Sequence, residues 1–241
     1  MTDKKTISKV KKLLGAEEFG NVHQGYELLM SLDDRALAEE LAEGVSLDEQ
    51  GRLVIDKAGA RKGHLRRKAN RTFVGLAVLR ATGQLDAVTR LDLSGCVALQ
   101  SLAALANLTA LTSLVLSKCS SLLDVDALAG CSALAEVAMH GCSSLRNVDG
   151  LTGCTALPSL DMRGCRALQN VDGLAGCSTM TTLDLSYCKS LQNVDGLAGC
   201  TALTTLDMSY CDSLQNVDGL AGCTALTTLN LDHCKSLQNL G

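Results

Sequence analysis

The sequence predicts an α/β solenoid in which a helical N-terminal cap precedes seven coils of 23 residues. The first observation is a repeat of that length, from residue 88 to the C-terminus, which is typical of solenoids. Second, each repeat holds an alternating apolar pair that predicts a short strand with one buried face. Third, the apolar spacing of three residues that follows predicts 3₁₀ or irregular backbone on the opposite side. Positions within a coil are counted 1 to 23 from Val88, Leu111, Leu134, Leu157, Met180, Leu203 and Leu226.

Residues 1–60 do not repeat and are predicted to form a small helical segment. Apolar spacing predicts amphipathic helices at 4–14, 21–31 and 33–43. Asp33 is a suitable N-cap for the third helix, because its carboxylate can accept free N–H groups of the first turn. A turn-rich stretch is expected at 47–56.

Residues 61–83 are predicted to form the longest helix, closed by Gly83. Its second half, 73–79, is apolar nearly all round, so we expect it to cap the first coil. Its first half carries six cations, which could neutralise phosphates of nucleic acid or of an anionic membrane. The simpler interpretation is a solvated helix face partly paired with the acidic helix at 33–43. This basic patch consists of Arg61, Lys62, Arg66, Arg67, Lys68 and Arg71.

Within each coil, positions 4 and 6 are expected to point inward from a strand that pairs with the strand of the next coil. Aspartates at position 16 are expected to accept backbone N–H groups and start a turn. Glycines at position 20 suit a turn with positive φ, and asparagines at position 14 are expected to satisfy exposed backbone. The aspartates are Asp126, Asp149, Asp172, Asp195 and Asp218, and the glycines are Gly130, Gly153, Gly176, Gly199 and Gly222.

All 12 cysteines fall in two columns, at positions 9 and 21. Such regular spacing is unlike a disulfide framework, and a zinc site needs ligands that converge at one point. We expect buried, reduced structural thiols bonded to the backbone. Position 9 holds Cys96, Cys119, Cys142, Cys165, Cys188, Cys211 and Cys234, and position 21 holds Cys131, Cys154, Cys177, Cys200 and Cys223.

The repeated frame LxxLxLxxCxxL resembles the leucine-rich repeat, and the resemblance covers residues 85–241. The Gly-Cys pair before the next frame residue is similar to the cysteine-containing subtype. The segment ANLTALTSLVLS at 106–117 resembles short bacterial, internalin-like repeats. The family implies a right-handed superhelix with the sheet on its concave face and, usually, a protein ligand there. We therefore expect residues 84–241 to form a leucine-rich-repeat domain, with coils too short for convex helices.

Positions 3, 5, 7 and 8 are expected to be exposed on that face. The later coils carry acidic residues at position 5 and two of the three tyrosines at position 8, and tyrosine is enriched in binding hot spots. We therefore predict a partner-binding strip there, although near-identical coils could also carry these residues passively after duplication. The strip consists of Asp161, Arg163, Asp184, Tyr187, Asp207, Tyr210, Asn230 and His233.

Composition narrows the function class. The chain has a formal net charge of -4 and no apolar run long enough for a signal peptide or a membrane span, so we expect a cytoplasmic protein. We also expect no cofactor and no metal. His140 near Cys142 and His233 beside Cys234 suggest an activated thiolate. However, these cysteines are expected inside and the histidines outside, so we expect no enzyme.

The sequence thus predicts a non-catalytic protein-interaction scaffold whose partner is another, unidentified protein. One alternative is an adaptor for nucleic acid or anionic membrane through residues 61–71, which the lack of interleaved aromatic residues disfavours. Another is a structural unit that self-associates through its C-terminal end. That end stops at position 16 of a coil without a polar cap, which suggests a shortened chain or end-to-end association.

Overall fold

The computed structural model describes residues 2–55, 62–63 and 70–238. Three helices open the chain: α1 (Lys4–Leu14), α2 (Phe19–Leu32) and α3 (Arg35–Ala42). α1 begins after Asp3, whose carboxylate accepts hydrogen bonds from two free N–H groups of the first turn. Within the described residues, no helix is both long enough and apolar enough to cross a membrane.

The N-cap of α3 is Asp34, and the predicted N-cap Asp33 is wrong by one residue. The Asp34 carboxylate accepts a hydrogen bond from the N–H of Leu37 at 3.1 Å. Asp33 instead closes α2 in a left-handed backbone conformation with φ of 47°. Aspartate adopts this conformation more readily than most residues, so the two adjacent aspartates serve the ends of two different helices.

A hairpin follows the three helices and covers one edge of the solenoid. Its strands are β1 (Val45–Leu47) and β2 (Leu53–Ile55), which pair antiparallel. The N–H of Asp92 donates to the carbonyl of Gly51 at 3.1 Å, and the Arg52 guanidinium donates to the Asp92 carboxylate at 3.0 Å. The first strand of the solenoid therefore has a partner on its outer side, which protects it from pairing with another chain.

Helix α4 (Arg71–Ala81) is shorter than the predicted helix at 61–83. Lys62 lies in a bend, residues 61 and 64–69 lie outside the described part of the chain, and the helix starts after Asn70. The buried Asn70 amide donates to the carbonyls of Ala16 and Glu17. This tertiary contact fixes where the helix begins, which local sequence preferences do not reveal.

The apolar part of α4 packs against the first coil. All of residues 73–79 are buried, and α4 contacts the 3₁₀ turn Ala103–Leu105 as well as α2 and the hairpin.

The division of the chain at residues 60 and 83 stays a prediction.

The solenoid contains one parallel sheet of seven strands in sequence order. Each strand occupies positions 3 to 5 of its coil and pairs with residues 23 positions along, so Leu183 lies between Leu160 and Leu206. The predicted sheet and its register are confirmed. The strands are β3 (Arg90–Asp92), β4 (Ser113–Val115), β5 (Glu136–Ala138), β6 (Ser159–Asp161), β7 (Thr182–Asp184), β8 (Thr205–Asp207) and β9 (Thr228–Asn230).

Apolar positions of the coil fill the interior. Leu183 and Leu185, at positions 4 and 6, are at most 1% exposed, as the alternation predicts. Short 3₁₀ turns form the opposite side, again as predicted. They are Ala103–Leu105, Asp126–Gly130, Asp149–Leu151, Asp172–Leu174, Asp195–Leu197 and Asp218–Gly222.

The turns begin with the side chain at position 14. Its oxygen accepts a hydrogen bond from the N–H two residues later, as from Asp149 to Asn147 at 3.2 Å. Asp124, Asn170, Asn193 and Asn216 do the same, while Asn239 lies outside the described residues. Among the described residues, no hydrogen bond ends on a position 16 carboxylate. The expectation that those aspartates accept the N–H groups is wrong, because an Asx turn joins a side-chain oxygen to the N–H two residues ahead.

The glycines at position 20 do not have positive φ, which corrects the prediction for them. At Gly199 and Gly222 it is the close approach of successive coils that requires glycine. A Cβ on Gly199 would lie 2.4 Å from the carbonyl oxygen of Ala175, and one on Gly222 would lie 1.9 Å from that of Ala198. Positive φ occurs at position 8 instead.

Candidate functional site

The predicted strip lies on the exposed face of the sheet, over the last four coils. Its position 5 side chains point away from the leucine before them, because adjacent strand residues point to opposite faces. That leucine is buried in all but the last of these four strands. Asp161, Asp184, Asp207 and Asn230 are half-buried, whereas Arg163, Tyr187 and His233 are exposed. The structure therefore brings the eight predicted residues to one surface.

Three rings of the strip form a continuous stack. The Tyr187 and Tyr210 centroids are 4.5 Å apart with an interplanar angle of 6°. The Tyr210 and His233 centroids are also 4.5 Å apart, at 17°. We call Tyr187, Tyr210 and His233 the ring stack. Its spacing follows from the sheet, since neighbouring strands lie about 4.7–4.9 Å apart.

Every residue of position 8 has a left-handed backbone conformation. In three coils the residue is glycine: Gly95, Gly141 and Gly164, with φ of 71–74°. In the other four it is Lys118, Tyr187, Tyr210 or His233, with φ of 61–64°. A residue with a Cβ is destabilised there by about 1–2 kcal/mol, whereas stacking of two rings returns about 0.5–1.5 kcal/mol.

This backbone feature was not predicted from the sequence, although a signal was present. The alternation of glycine with tyrosine, histidine and lysine in one column indicates a position with positive φ, because glycine is the usual residue there. Residues in strained conformations concentrate at functional sites. The ring stack is therefore a stronger candidate for a functional site than the other surface columns are.

The position 5 side chains also have a structural role. Asp184 Oδ1 accepts a hydrogen bond from the N–H of Ser186 at 2.9 Å, and Asp207 Oδ1 accepts one from Ser209 at 2.8 Å. Asn230 Oδ1 accepts in the same way from Asp232 at 3.0 Å. An amide can thus replace the carboxylate without loss of this turn.

Ion pairs neutralise part of the acidic column. Arg163 makes two hydrogen bonds to Asp161, at 3.0 and 2.8 Å, and its Nε lies 3.4 Å from Asp184 Oδ2. Burial opposes ionisation of Asp161, but the hydrogen bonds and charge of Arg163 outweigh it and lower the pKa of that carboxyl. The imidazole of His140 lies 3.7 Å from the same carboxylate. The strip is therefore a mixed-charge surface rather than a purely acidic one.

Cysteine thiols lie behind this face and not on it. Each position 9 thiol from Cys119 to Cys234 donates to the position 6 carbonyl of the preceding coil, as Cys142 does to Leu116 at 3.1 Å. The position 21 thiols bond to carbonyls of the preceding coil as well. Cys96 and Cys234 are partly buried and the other ten cysteines are fully buried.

Neither of the two candidate His–Cys pairs, His140 with Cys142 and His233 with Cys234, has the arrangement of an activated thiolate. Burial raises the pKa of the Cys142 thiol to about 11, and it also raises the pKa of Cys234. Both thiols donate to backbone carbonyls of the coil before them, while His233 is exposed in the ring stack. In the part of the chain that the structure describes, no three His, Cys, Asp or Glu residues form a group able to hold a metal ion.

Of the basic patch, only two residues fall in the described ranges. Lys62 donates to Glu43 Oε2 at 2.8 Å and to the carbonyl of Glu40, and Arg71 is the first residue of α4. Arg61, Arg66, Arg67 and Lys68 lie outside the described residues. The lysine is therefore engaged with the end of α3, as the simpler interpretation of this patch expects.

Comparison with known proteins agrees with the architecture. A family described as "Leucine Rich repeat" matches residues 176–198 and 199–221. Comparison with curated proteins found no match. The other coils have the same 23-residue period and strand register as the matched ones, and the first four coils also have the 3₁₀ turn at the same position.

Similar solved structures include an internalin (inlF) from Listeria monocytogenes, with 15% identity and a TM-score of 0.48 over 95% of this chain and 62% of that one. The leucine-rich repeat domain of the type III effector XCV3220 (XopL) has 16% identity and a TM-score of 0.48, covering 90% and 82%. A plant peptide hormone receptor, RGFR1 in complex with RGF2, has 17% identity and a TM-score of 0.41, covering 64% and 29%. The chain thus spans less than two thirds of the internalin and of the receptor.

Proposed function

We propose that the chain, which matches the leucine-rich repeat over residues 176–221, is a non-catalytic scaffold that binds a protein on the exposed face of its sheet. The observation that carries this proposal is the ring stack. Three consecutive coils keep an aromatic ring or imidazole at a backbone position where glycine would be less strained, which favours a selected surface over passive duplication.

The chemistry of the strip supports a protein partner. It combines exposed rings with a mixture of paired and unpaired charges, which is the composition of interface hot spots and their polar rims. Tyr187 is 46% exposed although it is a large apolar side chain. The free thiols fit a reducing compartment, so the location that we propose for the scaffold is the cytoplasm.

The test is a quantitative mass-spectrometry comparison of proteins captured from a cell lysate by three baits. They are the wild-type chain, a strip variant and a back-face variant. The strip variant carries Asp184→Asn, Tyr187→Gly, Asp207→Asn and Tyr210→Gly. These replacements keep the Asx turns and the left-handed backbone, since Asn230 and Gly164 already serve those roles in other coils.

The back-face variant, Asp195→Asn with Asp218→Asn, changes the same charge in the same two coils on the 3₁₀ side. We expect a protein that the wild type and the back-face variant capture and the strip variant loses. Equal capture by all three baits would show that the sheet face is not the binding surface.

A further inference from the structure

The ring stack ends abruptly on one side. Its first ring, Tyr187, has Tyr210 against one face. On the other side the preceding coil has Gly164 at position 8, so no side chain of that column covers the second face. The coil before that one has Gly141 at position 8. Among the described residues, no ring stacks on the second face of Tyr187, and the side chain is 46% exposed.

The space over Gly164 is not filled by the neighbouring coil. Apart from the residues next to it in the chain, a Cβ built on Gly164 would meet only backbone atoms of Gly141 within 4 Å. A Cβ built on Gly141 would already touch Lys118 Cγ at 3.5 Å, so the lysine stem leans over that coil. The result is a gap with a tyrosine ring at one end, a lysine side chain at the other and glycine backbone as its floor. We call it the ring slot.

The spacing of the coils suits a stacked ring above Gly164. Neighbouring coils place their rings 4.5 Å apart in the stack. A ring above Gly164, one coil away from Tyr187, would therefore lie at stacking distance from it. The molecule itself shows what packs on the opposite face of Tyr187, namely another ring one coil away.

The charges next to Gly164 are compatible with an uncharged ring. Arg163, which precedes Gly164, is paired with Asp161 and with Asp184, so the charge nearest to Gly164 is neutralised. An uncharged ring loses little hydration when it enters such a site, and an offset ring pair contributes about 0.5–1.5 kcal/mol beyond the area that it buries.

We propose that the ring slot above Gly164 receives an aromatic side chain of the partner protein, stacked on the free face of Tyr187. This inference rests on the proposed function, since it names the part of the partner that the sheet face recognises. It assigns Tyr187 and Gly164 as the residues that select the partner's anchor.

The first experiment uses N-acetyl-tryptophanamide as a defined probe and the tyrosine ring signals of the full-length chain as the readout. The chain contains three tyrosines, so selective isotope labelling of tyrosine gives three sets of ring signals in an NMR spectrum. We expect the probe to shift the Tyr187 signals upfield in a saturable manner and to leave those of Tyr26 unchanged. N-acetyl-leucinamide, which has no ring, should cause no such shift.

The second experiment fills the slot from within. Gly164→Tyr places a ring there on a backbone that already accommodates tyrosine at the next two coils. We expect this variant to lose the probe-induced shift and to bind any partner captured through the strip about two- to tenfold more weakly. The control is Gly95→Tyr, which makes the same change at the same position of the first coil, where a Cβ meets nothing within 4 Å. It should behave like the wild type.

The possible failures are distinguishable. If the probe does not shift Tyr187, or shifts it equally in Gly164→Tyr, the ring slot is overturned even when the strip variant still loses a captured protein. If the probe binds as expected but no captured protein depends on the strip, the slot stands as a site for a ring and the proposed scaffold function fails.

Discussion

At the scale of the residue, the left-handed backbone of position 8 has the largest consequences. Tyrosine there combines a strained backbone with a stacked ring, so replacements act on two opposing contributions to stability. An alanine removes the ring and keeps the strain, whereas a glycine removes both. We therefore expect the two variants to differ in stability, with glycine the more stable, although the loss of contacts alone predicts no difference.

We expect Tyr210→Gly to be more stable than Tyr210→Ala by about 1 kcal/mol. Tyr210 has φ of 61° and stacks on both sides, so both variants lose the same contacts. Urea unfolding of the two proteins measures the difference. An alanine variant as stable as the glycine variant would show that the conformation is not strained.

The same scale explains which site residues could be found from the sequence. Tyr187 and Tyr210 were identifiable because tyrosine is rare in this chain and falls twice in one column. Their stacking was not, because it depends on side-chain directions that leave the strand at position 8. The role of Asp184 in an Asx turn was also missed, because an aspartate at an exposed strand end is equally consistent with a surface charge.

At the scale of the element, the thiol columns join one coil to the next. Every thiol except that of Cys96 bonds to a carbonyl of the preceding coil, and all but Cys96 and Cys234 are buried. Burial raises the pKa of Cys211 to about 12 and that of Cys200 to about 11. The folded state therefore holds its protons more tightly than the unfolded chain does, in which these pKa values are near the ordinary 9.0.

This difference predicts a loss of stability in base. The thiol contribution is fully present below about pH 9 and is lost as the pH rises through the folded-state values near 11–12. Each group destabilises the folded state by up to about 1.4 kcal/mol per pH unit above its unfolded pKa. Urea unfolding between pH 8 and pH 11 measures the slope, and Cys211→Ala should make it shallower, because the alanine cannot titrate. An identical slope in that variant would contradict the assignment.

The elements also show where sequence reasoning fails. The alternation of Leu183 and Leu185 was sufficient to predict the strand, its register and its buried face, because strand periodicity is a local property. The start of α4 was not predictable, since Asn70 is fixed by carbonyls more than 50 residues away. The glycines of position 20 were recognised as special for the wrong reason, because the crowding comes from the neighbouring coil.

At the scale of the whole molecule, stability is a sum over neighbouring coils. Leu206 in β8 is 0% exposed, whereas the equivalent Leu229 in β9 is 41% exposed. The inner coils are thus covered by a neighbouring coil on both sides, which distinguishes them from the last described coil. The sequence predicted this architecture well, since seven copies of one pattern leave little choice of fold.

We expect Leu206→Ala to lower the free energy of unfolding by about 2–5 kcal/mol, as for buried leucines in general. Leu229→Ala removes the same atoms from the equivalent position of the last strand, and its cost should be below about 1–2 kcal/mol because much of that side chain already contacts water. Chemical denaturation measures both. Equal costs would mean that the last coil is covered in solution, as self-association would require, and sedimentation would then reveal the larger species.

The close contact of successive coils at their glycines gives the sheet face a fixed pitch. Side chains one coil apart are spaced by the sheet, at about 4.8 Å, whereas side chains on one side of an extended strand are about 6.8 Å apart. A partner strand that ran along the solenoid axis could match one coil but would be out of step at the next. A regular extended strand therefore matches this spacing poorly along the axis, which suits a partner that presents a single anchoring side chain.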